Sequence, residues 1–488
     1  MKNILLSKKL LAVSYLFFML IGSTIFAQVG IGTVTPDASS ILDISSTTQG
    51  MLAPRLTTAQ RIAIASPANG LMVFDTDLKS FYYYISTTTT WTQLSSDANG
   101  RTNFKRIKAA SDLATELSNG GGTKYLLTSN TYYEINGTIV LSFPIDLNEA
   151  YISGLDANED KLVRFSGNLF DGSKGGTVRN VTIVVSGGGK VFNLTGSSGP
   201  TDNLLLRDTV IANCSDVGTI TNFSLVFVSV VQYVGNTTGI VYTNISSLLL
   251  NNTAWFSTNA GTFEKLVGNF GLVQKLGGFM EVTGAAIGFD VFANPTITND
   301  GVLESVVFSG TPTTGKYVNP YTVGIYTGYN FNNRWNVRCA GIPTETDLTA
   351  VGNINFNHTL GSPATTGVTT TATKLTGVTT SEDLFRFSMS GNNRIVYLGT
   401  KKRFFRVGGF ISFQTADNNI TLIFYIAKNG VILPKSKVYV KSNNNTDVIA
   451  IPIQTLVELS TNEYLELFVA TTSGTGDVKI VSVNLSAS

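Results

Sequence analysis

Charge is scarce in this 488-residue chain: Asp, Glu, Lys and Arg make up 14% of it, and the net charge is +2. A nucleic-acid binder needs a clustered basic field, and none is present, so nucleic acid is set aside as a partner. Histidine is rarer still, with His358 alone. A Ser-His-Asp or Cys-His centre would have to rest on that imidazole, in the polar stretch Asn357-His358-Thr359. His-ligated zinc is excluded for the same reason, and no metal site is assigned. Two cysteines, Cys214 and Cys339, define no disulfide framework and read as buried free thiols. The Walker phosphate loop, the Gly-x-Ser-x-Gly elbow and the His-Glu-x-x-His helix are all missing. No cofactor and no primary catalytic residue is therefore assigned.

Glycine, by contrast, is plentiful at 47, and 43% of residues are hydrophobic. Thr, Ser and Asn crowd the turns. This composition suits an extracellular β protein that stays soluble without charge. The start reads as a secretory leader over residues 1–27: Lys2, Lys8 and Lys9, an apolar run from Leu10 to Ile21, then small residues to a cleavage point near Ala27–Gln28. That run is short of the roughly 18 residues a membrane span needs. No second run of spanning length follows, so the expected product is secreted or on the cell surface, with no stable membrane span.

Residues 28–100 carry short apolar runs separated by Gly and Pro, which predict an extended module of short strands. The runs are Gly30-Ile31-Gly32-Thr33, Leu42-Asp43-Ile44, Pro54-Arg55-Leu56-Thr57, Gly70-Leu71-Met72-Val73-Phe74-Asp75-Thr76 and a closing Trp91. The stretch resembles the N-terminal module of secreted fibre-like and adhesin-like proteins of the Bacteroidetes, with relatives in phage tail-fibre-type proteins. The resemblance implies a stalk and says little about a ligand.

Ile107, Ala110, Leu113, Ala114 and Leu117 share one helical face, so a helix is predicted over 106–117, stopped by Asn119 and Gly120-Gly121-Gly122. A loose repeat follows. Phe165, Ile183, Leu206, Leu225, Leu248 and Leu272 each centre a short apolar strand, and Asn180, Asn203 and Asn222 each stand three residues before one. A period of about 20 residues with Asn and Gly at turns predicts stacked coils. The expectation is a right-handed parallel β-helix over 101–345, capped by the helix. Strands apolar on both faces, as in Leu225-Val226-Phe227-Val228, suit a sheet covered by neighbouring chains. The arrangement is similar to the middle of phage tailspikes.

Residues 346–385, rich in Thr, read as an extended linker. Residues 386–488 alternate cleanly, with Phe405, Val407, Gly409, Ile411 and Phe413 on one side and Asn429-Gly430 in a hairpin turn. They predict an antiparallel jelly roll or β-sandwich. The tract Tyr464-Leu465-Glu466-Leu467-Phe468-Val469, then Val478 to Leu485, resembles the C-terminal heads of trimeric fibres, which are similar to the C1q and tumour-necrosis-factor jelly rolls. The fold class is thus all-β, and the expected assembly is a homotrimer.

Carboxylates are the one route to catalysis, because solenoids host glycosidases and lyases. Glycoside hydrolysis needs two carboxyls roughly 5–9.5 Å apart. Asp202, Asp208, Asp216, Glu264 and Glu281 flank the coils. Asp208 and Glu264 are the candidates if the chain cuts polysaccharide. Tyr326, Tyr329 and Trp335 are the candidates for stacking on sugar rings. The leading expectation is a non-enzymatic, fibre-like adhesin or receptor-binding protein that contacts a cell-surface glycan or polymer. A polysaccharide depolymerase and a structural filament or surface-layer component are the alternatives.

Overall fold

The computed structural model describes residues 2–19, 28–94, 103–199 and 202–488. Residues Lys2–Met19 are helical, and no helix among the described residues is long and apolar enough to cross a membrane. The leader junction at Ala27 lies outside the described residues. The chain divides into two units, Met1–Arg101 and Thr102–Ser488.

In the first unit, Val29–Ile31 pairs in parallel with Leu42–Ile44. A four-stranded sheet then runs in the order Arg55–Leu56, Met72–Asp75, Ser80–Ile85, Thr90–Gln93. A five-residue helix, Thr58–Ile62, is started by a capping box between Thr57 and Gln60. Its Arg61 is buried against Asp75 at 2.9 Å and lies over the Tyr82 ring, 4.1 Å from its centre. Burial acts to raise the Asp75 carboxyl. The Leu78 and Asp77 amides, Arg61 and Thr58 outweigh it and bring the group down to about 2. A carboxyl lowered by folding stabilises above its unfolded value and loses that effect as pH falls through its folded value. Amide exchange in residues 72–93 is therefore expected to accelerate beyond its intrinsic rate between about pH 4 and 2. An Asp75→Asn chain, already lacking the pair, should show no such step.

The second unit opens with stacked coils. A thirteen-stranded sheet and a nine-stranded sheet, both parallel between coils, wrap one core, and the nine strands count nine coils. The five long strands are Asn203–Ala212, Leu225–Val234, Ser247–Trp255, Leu272–Glu281 and Gly301–Ser309. Each bends once, at a residue with positive φ: Asp208, Val230, Asn252, Gly277 and Ser305. Each side of the bend alternates inward and outward side chains. Inward positions stack coil on coil: Ile211, Tyr233, Trp255, Met280 and Phe308 form one buried column. Each such burial contributes about 1.5–3 kcal/mol relative to exposure. Gly301 is needed because the Trp335 ring lies where a side chain would go, 2.5 Å from the position a Cβ would take. Two buried asparagines satisfy the core backbone: Asn236 donates to Ile211 O and Asn259 Oδ1, and Asn259 donates to Tyr233 O. Of the turn asparagines read from sequence, Asn180 and Asn222 do adopt positive φ. Asn203 instead begins a strand.

Val230 is the misfit in the bend column, since a β-branched residue resists the left-handed region. Its side chain is exposed, so little packing is at stake. Val230→Asn is expected to stabilise the coils by about 1 kcal/mol. A thermal melt that stays put or drops would contradict this.

Two expectations need correction. The helix does not start at Arg106. Phe104–Ile107 is a strand paired with Tyr132–Ile135, and helix begins only at Ala110–Leu113 and Ala114–Asn119. Asp112 accepts the Lys108 and Ala109 amides and so turns the chain after the strand. Nor is 346–385 a linker. Val351–Asn357 and Ala364–Val368 both pair with Gly476–Ala487, and Thr373–Lys374 pairs with Tyr464–Thr471. Thr is a strand former, and these edges close the head.

The C-terminal head has a six-stranded and a seven-stranded antiparallel sheet around one apolar core. Arg403–Thr415 lies between Ile449–Leu459 and Gly476–Ala487. Phe405, Val407, Ile411 and Phe413 point into the core, while Phe404 and Phe410 stand exposed on the outer face.

Candidate functional site

The carboxylates do not converge. Asp208 occupies the bend of Asn203–Ala212, half-exposed, with Arg207 Nη2 4.0 Å away. The positions above it in the same column are Val230 and Asn252, so no second carboxyl joins it. Glu264 points into the core with essentially no exposure, 3.0 Å from Lys275 Nζ. One group faces solvent and the other the interior, so no single polymer can touch both. Asp202 is held well below its ordinary value. Burial acts against this, but Lys174 at 2.8 Å, Ser197 and the Gly199 amide prevail. Burial raises the Asp216 carboxyl, and Glu281 accepts the Ser257 amide. Asp160, which ends the acidic stretch Asp156-Ala157-Asn158-Glu159-Asp160, caps the amides of Gly137, Leu155 and Asp156.

The cysteines are free, Cys214 buried and Cys339 half-buried. Burial pushes the Cys214 thiol up to about 12 and raises Cys339 as well, which disfavours the reactive thiolate.

The aromatic candidates separate. Trp335 is core, fully buried, and its indole N–H donates to Tyr321 at 3.0 Å; it is withdrawn as a sugar platform. Tyr326 and Tyr329 do come together, at the joint between the last coil and the head. Phe385 stacks on Tyr329 at 4.1 Å and meets Tyr326 edge-on at 5.2 Å. The three rings line a cleft of about 490 Å³ together with Thr327, Ser381, Glu382 and Asp383. That size suits a small ligand or a few sugar units. Sequence reasoning missed Phe385, Glu382 and Asp383, because they lie in the stretch read as linker.

The N-terminal module shows a different anomaly. Val34, Ile41 and Leu52 are 98%, 81% and 83% exposed in the single chain, and Ile31, Ile44, Met51 and Ile62 are exposed beside them. Scattered exposed apolar side chains are ordinary, but a run of them marks a covered surface.

Residues 30–109 match the family described as the phage tail like trimerisation region. The exposed run falls inside that match, so the module that leaves its apolar side chains uncovered is similar to one that joins three chains. No curated protein matches the chain. Among solved structures it is similar to bacteriophage CBA120 tailspike protein 4, enzymatically active domain. The identity is 8% and the TM-score 0.25, over 89% of this chain and 77% of that one. It is also similar to the Eiger TNF of S. frugiperda, at 9% identity and TM-score 0.21, over 28% of this chain and 92% of that one.

Proposed function

We propose that the chain is a secreted, homotrimeric, fibre-like surface protein that binds a glycan and does not cut it. The observation that carries the reading is the uncovered apolar run of residues 31–62 within a stretch matching a trimerisation region. Light scattering should give three times the single-chain mass, and a monomer at micromolar concentration would refute the assembly.

For the ligand, the reading rests on the cleft at Tyr326, Tyr329 and Phe385. Ring faces pack against the C–H faces of pyranoses, and Glu382 and Asp383 offer acceptors for hydroxyls. Tyr329→Ala is expected to weaken oligosaccharide binding roughly tenfold, measured by titration calorimetry against envelope glycan fragments. Unchanged affinity would move the ligand elsewhere. Release of reducing ends from the same glycans would instead favour the depolymerase reading.

A further inference from the structure

One outward face of the coils is unusually apolar. Strand register stacks Phe104, Tyr132, Tyr151, Leu205, Phe227 and Leu249 in a single outward column, interrupted only by Thr177. Phe104 and Tyr132 lie ring on ring, 5.9 Å apart. The flanking columns add Leu225, Leu272 and Leu276. From Asn203 to Leu276 the charges on this face are Arg207 and, beside it at the bend, Asp208, and the same flanking column carries Arg106, Glu134 and Arg179 on the lower rungs. The nine-stranded sheet shows the opposite. Its outward columns read Asn193, Thr219, Val241, Lys265 and Thr195, Thr221, Thr243, Val267, as expected of a wall left in water.

The apolar column begins inside the matched trimerisation region, because Phe104–Ile107 is its first rung and the match runs to residue 109. We infer that copies also meet along this face of the coils, with a second copy of this chain as its occupant. Parallel chains at equal height present identical rungs, repeating at about 4.8 Å, so one column can meet its copy rung for rung. The contact ends near the coil of Leu272–Glu281, where the same column turns polar at Gln274 and again at Asn336. This inference rests on the trimer reading above and assigns the surface that reading leaves open.

Hydroxyl-radical footprinting of the full chain tests it. In the single chain Phe104 and Tyr151 are 40% and 46% exposed, close to Phe292 at 55% in the turn after Ile287–Asp290, a strand of the nine-stranded sheet. In the trimer Phe104 and Tyr151 should be labelled roughly tenfold more slowly than Phe292, as side chains in a closed interface are. A chain that is trimeric by light scattering but labels all three within about twofold would overturn this face while leaving the trimer intact. A monomer would overturn the trimer reading itself. As a second measurement, Phe227→Lys should raise Tyr151 labelling severalfold, while Thr219→Lys on the polar wall should leave it unchanged. Equal effects from the two would also overturn the assignment.

Discussion

Lys275→Met is expected to destabilise the coils by about 3–5 kcal/mol, and Glu264→Gln by a similar amount, because each leaves a buried group without its partner. Lys275 stands in an inward column between Leu250 and Leu303. Its ammonium donates to Thr253 Oγ1 at 2.6 Å and Glu264 Oε1 at 3.0 Å, and it sits 5.3 Å from the centre of the Phe263 ring. Both side chains are cut off from water. Glu264 Oε2 has no hydrogen-bond partner, so the pair carries part of its desolvation cost uncompensated. Replacing both residues with apolar ones of similar volume should therefore recover the loss, since leucines already fill this column above and below. Burial raises Glu264 and lowers Lys275, each toward its neutral form. In Lys275→Met the orphaned Glu264 keeps a raised value. Its destabilisation should be small near pH 3, below the ordinary carboxyl value, where the acid is neutral in both states, and grow as pH rises to 7. Urea unfolding followed by Trp255 emission reads the effect locally, because Trp255 stacks on Phe263 at 4.5 Å. Single variants that unfold within about 1 kcal/mol of the parent would contradict the account.

Arg386→Met should have a comparable effect at the joint between coils and head, about 3–5 kcal/mol. Arg386 is buried, sits at φ +57°, and points its fork back across the joint. It donates to Asn333 O at 3.0 Å, Asp347 Oδ1 at 2.6 Å, Trp335 O at 2.5 Å and Glu345 O at 3.0 Å. Asp347 is bound from the head as well: its Oδ2 accepts the Lys401 amide and the Thr400 hydroxyl, and its carbonyl accepts from Arg403. Removing the guanidinium takes a donor away from three carbonyls and from the Asp347 carboxylate. Arg386→Lys should not restore the joint, because an ammonium cannot present that planar fork. Limited proteolysis should then cut between residues 333 and 403, where the parent resists. Full rescue by lysine would show that charge alone suffices.

What could be read from sequence was whatever depends on near neighbours. The coil period, the asparagine turns at 180 and 222, and the alternation of 405–413 all reflect contacts with a fixed short spacing. Ile107 shows where this fails, since the apolar spacing that fits a helix face also fits an inward strand end followed by a helical turn. The Thr-rich stretch fails for another reason. The partner of Ala364–Val368 lies more than a hundred residues away, and nothing local announces it. Within the coils Lys275 was passed over in the sequence, although Val273 and Lys275 share the side taken by Leu248 and Leu250 one coil earlier. Trp335 was chosen for its chemistry, yet Gly301 opposite it was the clue that it is packed.

Because Thr221 aligns with Thr243 across adjacent coils, and the bend recurs once in each, a coil is a removable unit. Deleting residues 222–243 would join Thr221 to Asn244 with the register kept, shortening the distance from cap to head by about 4.8 Å. Reach in such a molecule is a quantity that duplication and loss can set in equal steps, as marks on a ruler, without redrawing either end.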